Sequence, residues 1–158
     1  MENLVVYDGF YKGKKVFLTG HTGFKGSWMT ILLQALGAEV TGYALSPDQE
    51  QNLFDYAGLD KNMCSNIGDI RNFSALEDAI KNADPDIVIH MAAQPLVIES
   101  YKNPLYTYET NVMGTVNLLE TIRKLPNVNV CLNITTDKVY KNNEWLWGYR
   151  EADALGGA

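Results

Sequence analysis

Residues 15–26 read KVFLTGHTGFKG, and this stretch decides the fold class. Its first five residues are mostly apolar or β-branched and indicate a buried strand. The remaining seven have the spacing GxxGxxG and run directly into a segment, 26–36, with apolar residues at helical spacing. A strand, a glycine loop and a helix in this order are typical of the first βα unit of a dinucleotide-binding domain.

The three glycines of this loop, Gly20, Gly23 and Gly26, have separate expected tasks. The first permits a tight turn, the second lets a phosphate approach the backbone, and the third lets helix and strand pack closely. The start of the helix supplies unpaired N–H groups and partial positive charge. We therefore expect this loop to bind a pyrophosphate.

Strands and helices alternate along the chain as far as residue 135. Further strands are expected at residues 39–45, 63–67, 86–90 and 128–135. Further helices are expected at residues 75–82 and 104–124, with a short helical turn near Phe54. This order predicts an α/β fold, a doubly wound parallel sheet of Rossmann-like type.

The longest helical segment, 104–124, has an apolar face formed by Val112, Val116, Leu119 and Ile122. Such a face could pack on the sheet or against a second copy of the chain, and the sequence does not choose between the two. We expect the full-length protein to be a homo-oligomer.

Length and composition limit the possible partners. The 158 residues correspond to one domain, so we expect 1–158 to form a single nucleotide-binding domain. The chain has 13 basic and 19 acidic residues, which argues against nucleic-acid binding. No apolar run approaches the roughly 20 residues of a membrane span, and no export signal is present. A cytoplasmic protein without a membrane partner is therefore expected.

The two cysteines, Cys64 and Cys131, are far apart and have no zinc-ligand spacing. We expect two buried thiols in a reducing compartment, and no metal. From residue 136 onward the sequence becomes polar and aromatic, and no further strand or helix is indicated. We therefore expect the chain to be the front part of a longer protein, with its sheet incomplete at the C-terminus.

The second expected strand ends without the acidic residue that usually holds the adenosine ribose, since residues 43–47 read YALSP. No arginine stands there to hold a 2′-phosphate, so NAD is favoured over NADP, with Ser46 or the backbone contacting the ribose. Asp69, after the third strand, has two possible roles. It either accepts the adenine amino group or caps the helix that begins near Phe73.

Several further motifs resemble one family. The glycine loop, GDI at 68–70, HMAAQ at 90–94 and TNVMGT at 110–115 resemble the extended short-chain dehydrogenases/reductases that act on nucleotide sugars. Within them the chain is similar to the CDP-glucose 4,6-dehydratases. That similarity comes from HTGFKG at 21–26, AAQPLV at 92–97, TDK at 136–138 and EWLWGYRE at 144–151.

The resemblance implies a site for NAD that runs along the ends of the strands. The pyrophosphate would lie on the glycine loop, the adenine beside the GDI motif and the nicotinamide ribose over the HMAAQ motif. The residues implied are Gly20, Gly23, Phe24, Lys25, Gly26, Asp69, Ile70, Ala92, Ala93, Gln94 and Asn111.

The resemblance also implies a reaction on a nucleotide sugar, CDP-glucose. The C4 hydroxyl is oxidised, water is eliminated across C5 and C6, and the hydride returns from the cofactor to C6. Elimination requires an acid and a base. Asp137 and Lys138 would fill these roles, and Thr136 would hydrogen-bond the C4 oxygen. Many relatives carry Glu in place of Lys138, so this lysine would act as a neutral amine, which burial and the nicotinamide charge favour.

Other interpretations remain open at this point. Asp137 and Lys138 could belong to an exposed turn, and the aromatic residues of 144–151 could form a satellite core or shape the sugar-nucleotide pocket with Arg150. His90 is interpreted as structural. The alternatives to a dehydratase are a nucleotide-sugar epimerase or reductase, or a non-catalytic dinucleotide-binding module.

The catalytic Tyr-x-x-x-Lys pair of the superfamily is not found in a plausible active-site context, because the spacing occurs only at Tyr11 and Lys15, where the first strand begins. Tyr140, for example, is followed four residues later by Glu144. We expect this pair to lie beyond residue 158, and we expect the 158-residue chain by itself to be inactive.

Overall fold

Five parallel strands form the sheet in the computed structural model, which describes residues 9–136 and 138–156. They lie in the order β3-β2-β1-β4-β5, and every neighbouring pair is parallel. The strands are β1 (Lys15–Thr19), β2 (Glu39–Ala44), β3 (Cys64–Ile67), β4 (Ile87–His90) and β5 (Val130–Asn133). The predicted parallel sheet is confirmed, and the strand bounds differ from the expected ones by no more than a few residues.

Helices connect successive strands. They are α1 (Phe24–Ala35), α2 (Leu53–Tyr56), α3 (Phe73–Ala83), α4 (Val97–Lys102), α5 (Pro104–Tyr108) and α6 (Gly114–Ile122). A π-helical segment, Glu109–Met113, joins the last two, so 104–122 is one long helix. The sequence did not indicate α4, which buries no side chain and so has no amphipathic pattern. No helix in the described part of the chain is long and apolar enough to cross a membrane.

The core lies on both faces of the sheet, because side chains alternate along each strand. Val16 and Leu18 of β1 point to one face, where Leu33 of α1 covers them. Phe17 points to the opposite face, where Leu76 and Leu118 of α3 and α6 cover it. All are at most 2% exposed. Helices therefore cover both faces, which confirms the doubly wound, Rossmann-like arrangement.

The long helix packs on the sheet through a different face from the one marked by its apolar periodicity. The residues buried against the sheet are Thr110, Gly114, Leu118 and Thr121. Val112, Val116 and Leu119 are 49%, 47% and 43% exposed. The apolar face was expected to pack either on the sheet or against a second copy of the chain. For these three residues, packing on the sheet is wrong.

Both cysteines are exposed, so the expectation of two buried thiols is wrong. The physical reason is their position in the sheet. Cys64 lies on β3 and Cys131 on β5, the two strands at the edges of the described sheet. Each of these edge strands has a neighbouring strand on one side only.

The imidazole of His21 is buried beneath the glycine loop, in the space where a side chain on β2 would lie. Its Nε2 is 2.7 Å from Oγ of Ser65, and its ring meets the ring of Phe54 edge-on at 5.2 Å. A Cβ placed on Gly42 would lie 2.6 Å from Nδ1 of this imidazole. β2 therefore requires a glycine at this point.

We predict that Gly42→Ala lowers the free energy of unfolding by about 2 kcal/mol, because the added methyl group overlaps the buried ring of His21. Urea denaturation measures the change. Gly148→Ala is the matched control, since nothing lies within 4 Å of its Cβ position. Equal stability of the two variants would show that the His21 ring does not exclude a side chain from β2.

Candidate functional site

A cleft of about 480 Å³ opens at the carboxyl ends of the strands. Gly20 follows β1 and Ala92 follows β4, and both line the cleft. These two neighbouring strands are where the chain changes direction across the sheet, since β2 and β3 lie on one side and β5 on the other. Ligands of open α/β sheets bind at such a switch point.

The first and third glycines of the loop are required by the packing of the protein itself. Gly20 has φ +79°, and a Cβ there would lie 2.9 Å from the backbone nitrogen of Ala92. A Cβ on Gly26 would overlap the carbonyl of Gly20. Gly23 differs, because no atom lies closer than 3.4 Å to its Cβ position. The missing side chain of Gly23 therefore leaves the backbone open to a ligand.

The N-terminus of α1 points into the same cleft. Gly23 is the N-cap residue, no side chain caps the helix, and the first turn contains no acidic residue. Phe24 and Lys25 of this first turn line the cleft. Unpaired N–H groups, the positive end of the helix dipole and a lysine together suit an anion such as a pyrophosphate.

Asp69 and Ile70 line the cleft after β3. The N-cap of α3 is Asn72, whose side chain accepts a hydrogen bond from the backbone nitrogen of Ala75. The alternative that Asp69 caps this helix is therefore wrong. Its carboxylate accepts hydrogen bonds from the Arg71 side chain, which lower the pKa of Asp69. Asp69 is thus an ionised hydrogen-bond acceptor beside the cleft.

Ser46 or the backbone at the end of β2 is predicted to contact the adenosine ribose, but the side chains that line the cleft there are apolar. Ala44 and Leu45 line it, whereas Ser46 is exposed and lies outside the lining. The hydroxyl of Thr22 donates a hydrogen bond to the carbonyl of Leu45 at 2.8 Å, which ties the end of β2 to the glycine loop.

The loop after β4 carries Ala92 and Ala93 into the cleft. The hydroxyl oxygen of Thr19 holds this loop, because it accepts hydrogen bonds from the backbone nitrogens of Met91 and Ala92, both at 3.1 Å. Small side chains on a backbone fixed in this way leave room for a flat ring.

Gln94 and Asn111 lie outside the lining and bind each other. The backbone nitrogen of Gln94 donates to Oδ1 of Asn111 at 2.7 Å, and Nδ2 of Asn111 donates to the carbonyl of Gln94 at 3.0 Å. The Gln94 side chain bonds Thr107 at 2.9 Å and the backbone of Leu96 at 2.6 Å. Both residues thus support the loop after β4, and their side chains are engaged within the protein.

His90 is 2% exposed and bridges two hydroxyl groups. Its Nδ1 is 2.6 Å from Oγ1 of Thr19, and its Nε2 is 3.0 Å from Oγ1 of Thr115 on the long helix. Burial lowers its pKa to about 4. These contacts agree with the structural interpretation of this histidine.

Thr110 is a residue that the sequence analysis did not select. It lines the cleft and is 8% exposed. Within residues 9–136 and 138–156, its hydroxyl oxygen has no hydrogen-bond partner. A buried hydroxyl without a partner is costly unless a ligand or water satisfies it. The only sequence signal was its position directly before Asn111 in the TNVMGT motif.

The three residues proposed for catalysis follow the part of the chain that lines the cleft, which ends with Ile134 and Thr135. Thr136 accepts a hydrogen bond at its hydroxyl from the backbone nitrogen of Lys138 at 3.2 Å. Asp137 lies outside the described residues. Lys138 is exposed, so the burial expected for it is not found in the part of the chain that the structure describes.

The aromatic residues of the C-terminal segment pack on one another. Tyr140 pairs with Leu155 in an antiparallel bridge, and its ring stacks on Tyr149 at 5.2 Å. Trp145 contacts Trp147 at 5.5 Å and Tyr149 at 5.6 Å. None of these rings lines the cleft.

A parallel sheet with a glycine loop and an uncapped helix N-terminus at its switch point defines the class, a Rossmann-like nucleotide-binding domain. Comparison with known families gives the assignment within this class. The family described as GDP-mannose 4,6 dehydratase matches residues 17–145. The chain belongs to this family.

Individual relatives agree with this assignment. CDP-glucose 4,6-dehydratase of Salmonella typhimurium is 54% identical over 148 residues, which cover 94% of this chain and 41% of the relative. GDP-mannose 4,6-dehydratase of Vibrio cholerae is 32% identical and covers 71% of this chain and 32% of the relative. The chain therefore spans about two fifths or less of the length of these relatives.

A solved structure shares the architecture. UDP-glucose 4-epimerase from Brucella ovis, in complex with NAD, superposes with a TM-score of 0.76 at 26% identity. The match covers 92% of this chain and 42% of the epimerase.

We predict that stability falls as the pH falls from about 7.5 to about 5.5, by about 1 kcal/mol for each of His21 and His90. Burial is the main cause that lowers the pKa of both from 6.5 to about 4. In this window the unfolded chain binds protons that the folded chain does not, so acid favours unfolding. Urea denaturation at the two pH values, for the wild type and His90→Asn, measures the effect. An equal pH dependence of both proteins would contradict the prediction.

Proposed function

We propose that the cleft binds NAD. The observation that supports this most directly is the geometry of the glycine loop, in which Gly20 and Gly26 are required internally whereas Gly23 leaves the backbone open at the N-terminus of α1. The proposed contacts to the cofactor, directly or through the loops that these residues support, are Gly20, Gly23, Phe24, Lys25, Gly26, Ser46, Asp69, Ile70, Ala92, Ala93, Gln94, Thr110 and Asn111.

The proposed reaction is that of a nucleotide-sugar 4,6-dehydratase, with CDP-glucose as substrate, which is a hydro-lyase reaction. It is supported by the 54% identity to CDP-glucose 4,6-dehydratase of Salmonella typhimurium across 94% of the chain. The single proposed domain is a NAD-binding domain over 1–158. This activity is proposed for the full-length protein.

NAD held in this cleft would supply the hydride acceptor for oxidation at C4 and the hydride donor for reduction at C6 of the sugar. The chain positions the two ends of the cofactor separately. Asp69 would accept the adenine amino group at one end, and the loop that carries Ala92 and Ala93 would face the nicotinamide ribose at the other. Because Thr19 and Asn111 fix this loop before any ligand binds, little ordering is required on binding.

Residues 136–138 would act on the sugar. The C4 ketone makes the C5 proton acidic, so a base removes it while an acid donates a proton to the departing C6 hydroxyl, which leaves as water. We assign these two proton transfers to Asp137 and Lys138, and the hydrogen bond to the C4 oxygen to Thr136. Since Thr135 lines the cleft, the next residues are close enough in sequence to face a sugar bound there.

We also propose that the full-length protein is a homo-oligomer in the cytoplasm. The exposed apolar side chains of Val112, Val116 and Leu119 on one face of the long helix support a contact with a second copy. The two exposed free thiols, Cys64 and Cys131, support a reducing compartment.

We predict that Gly23→Ala raises the Kd for NAD at least about tenfold, because the methyl group blocks the approach of a phosphate to the backbone. Isothermal titration calorimetry measures Kd. The melting temperature is expected to stay unchanged, since the added Cβ meets no atom closer than 3.4 Å. Gly148→Ala serves as the control. Unaltered NAD affinity in Gly23→Ala would place the pyrophosphate elsewhere.

We predict that the full-length protein, incubated with CDP-glucose and NAD, forms a product lighter by one water, with NAD recovered unchanged. Mass spectrometry detects the product. Lys138→Met is expected to lower the turnover rate by a factor of about 10² to 10⁴, because it removes a proton-transfer group. Lys141→Met, which changes an exposed neighbouring lysine, is the control.

Two results would contradict this assignment. A product of unchanged mass would indicate an epimerase. A wild-type rate in Lys138→Met would remove this residue from the elimination step.

A further inference from the structure

A chain of polar contacts connects the adenine end of the cleft to the long helix through the side chain of Arg71. Its Nε donates to Oδ1 of Asp69 at 3.1 Å and to Oδ2 at 2.9 Å, and its Nη2 donates to Oδ2 at 2.6 Å. Its Nη1 binds Oε2 of Glu109 at 3.3 Å, and its guanidinium carbon lies 4.8 Å from the centre of the Tyr106 ring. Asp69 and Tyr106 both line the cleft.

The Asp69 carboxylate is left with room for one more donor. Three N–H groups of Arg71 donate to it: the backbone N–H to Oδ1 at 2.9 Å, Nε to both oxygens, and Nη2 to Oδ2. A carboxylate can accept from about four donors, and the side chain of Asp69 keeps 28% of its surface exposed at the cleft. The planar guanidinium orients the carboxylate, because the parallel hydrogen bonds from Nε to Oδ1 and from Nη2 to Oδ2 fix its plane.

The backbone of this turn is attached to the same helix. Nδ2 of Asn117 donates hydrogen bonds to the carbonyl oxygens of Ile70 at 3.0 Å and Arg71 at 3.3 Å. The side chain of Arg71 is 37% exposed and that of Glu109 45%. Ion pairs so exposed contribute little to stability. These contacts therefore affect the orientation of the Asp69 carboxylate more than the free energy of unfolding.

We propose that Arg71 is a positioning residue for base recognition, which holds the Asp69 carboxylate so that its remaining acceptor position faces the cleft. Such a carboxylate favours a 6-aminopurine, which donates one hydrogen bond, over a 6-oxopurine, whose oxygen faces the negative charge. Glu109 and Tyr106 hold Arg71 in turn. This inference rests on the proposed binding of NAD.

The test compares the Kd for NAD with that for nicotinamide hypoxanthine dinucleotide, which carries an oxygen in place of the amino group. The full-length wild type is expected to prefer NAD at least about tenfold. Arg71→Gln is expected to reduce this preference about fivefold or more, through weaker binding of NAD alone. Arg71→Lys is expected to behave like Arg71→Gln, because an ammonium group cannot make two parallel hydrogen bonds.

Two further variants separate orientation from folding. Glu109→Gln leaves the Asp69–Arg71 pair intact but weakens its attachment to the helix, and a smaller reduction of the preference is expected. Arg123→Gln is the matched control, because Arg123 makes the same two-bond contact with Glu120, at 2.7 and 2.8 Å, away from the cleft. The preference for NAD is expected to stay at the wild-type value in this control.

Two results would overturn the inference. The first is that Arg71→Gln and Arg71→Lys keep the wild-type preference for NAD. The second is that these variants bind both dinucleotides more weakly by the same factor, as a purely structural role predicts. If the wild type binds neither dinucleotide, the proposed function itself fails. If NAD binds but the variants keep the wild-type preference, only the proposed role of Arg71 is rejected, and the proposed function stands.

Discussion

The close approach of the backbone of Gly20 to that of Ala92 is the constraint on which the rest of the site depends. These residues follow β1 and β4, the two strands between which the sheet order changes direction. A side chain on Gly20 would collide with the Ala92 backbone, and one on Gly26 would collide with the Gly20 carbonyl. Because both positions lack side chains, α1 begins directly above the sheet and directs its N-terminus into the cleft.

The long helix, 104–122, supports both ends of this cleft. Toward the proposed adenine end, Glu109 and Asn117 hold the turn that contains Asp69. Toward the proposed nicotinamide end, Thr107 and Asn111 hold the loop after β4. The π-helical segment of this helix, Glu109–Met113, contributes Glu109 to one end and Asn111 to the other, and such segments are frequent at functional sites.

Much of the fold could be predicted from the sequence, because buried strands and the glycine loop have local patterns. The sheet-facing side of the long helix could not, because it is built from Thr110, Gly114 and Thr121 as well as Leu118. The small residues allow close packing, with Gly114 against Ile70, while the apolar periodicity marks the exposed face. The capping role of Asp69 was excluded only by the observation that Asn72 caps α3.

In the site, the glycine loop and Asp69 were accessible to sequence analysis, whereas the contacts of Arg71 and the burial of the Thr110 hydroxyl were not. Contacts such as that between Arg71 and Glu109 join residues 38 positions apart, and no local pattern encodes them. The partnerless hydroxyl of Thr110 is likewise visible only when its surroundings are known. The exposure of Lys138 also depends on tertiary contacts and not on its neighbours in sequence.

A crystal structure of the full-length protein with NAD tests the central claim most directly. We expect the pyrophosphate oxygens within hydrogen-bond distance of the backbone nitrogens at the start of α1, the adenine amino group on the Asp69 carboxylate, and the nicotinamide ribose beside Ala92 and Ala93. A dinucleotide bound away from the switch point, or bound there with its two ends reversed, would contradict the assignment of this cleft.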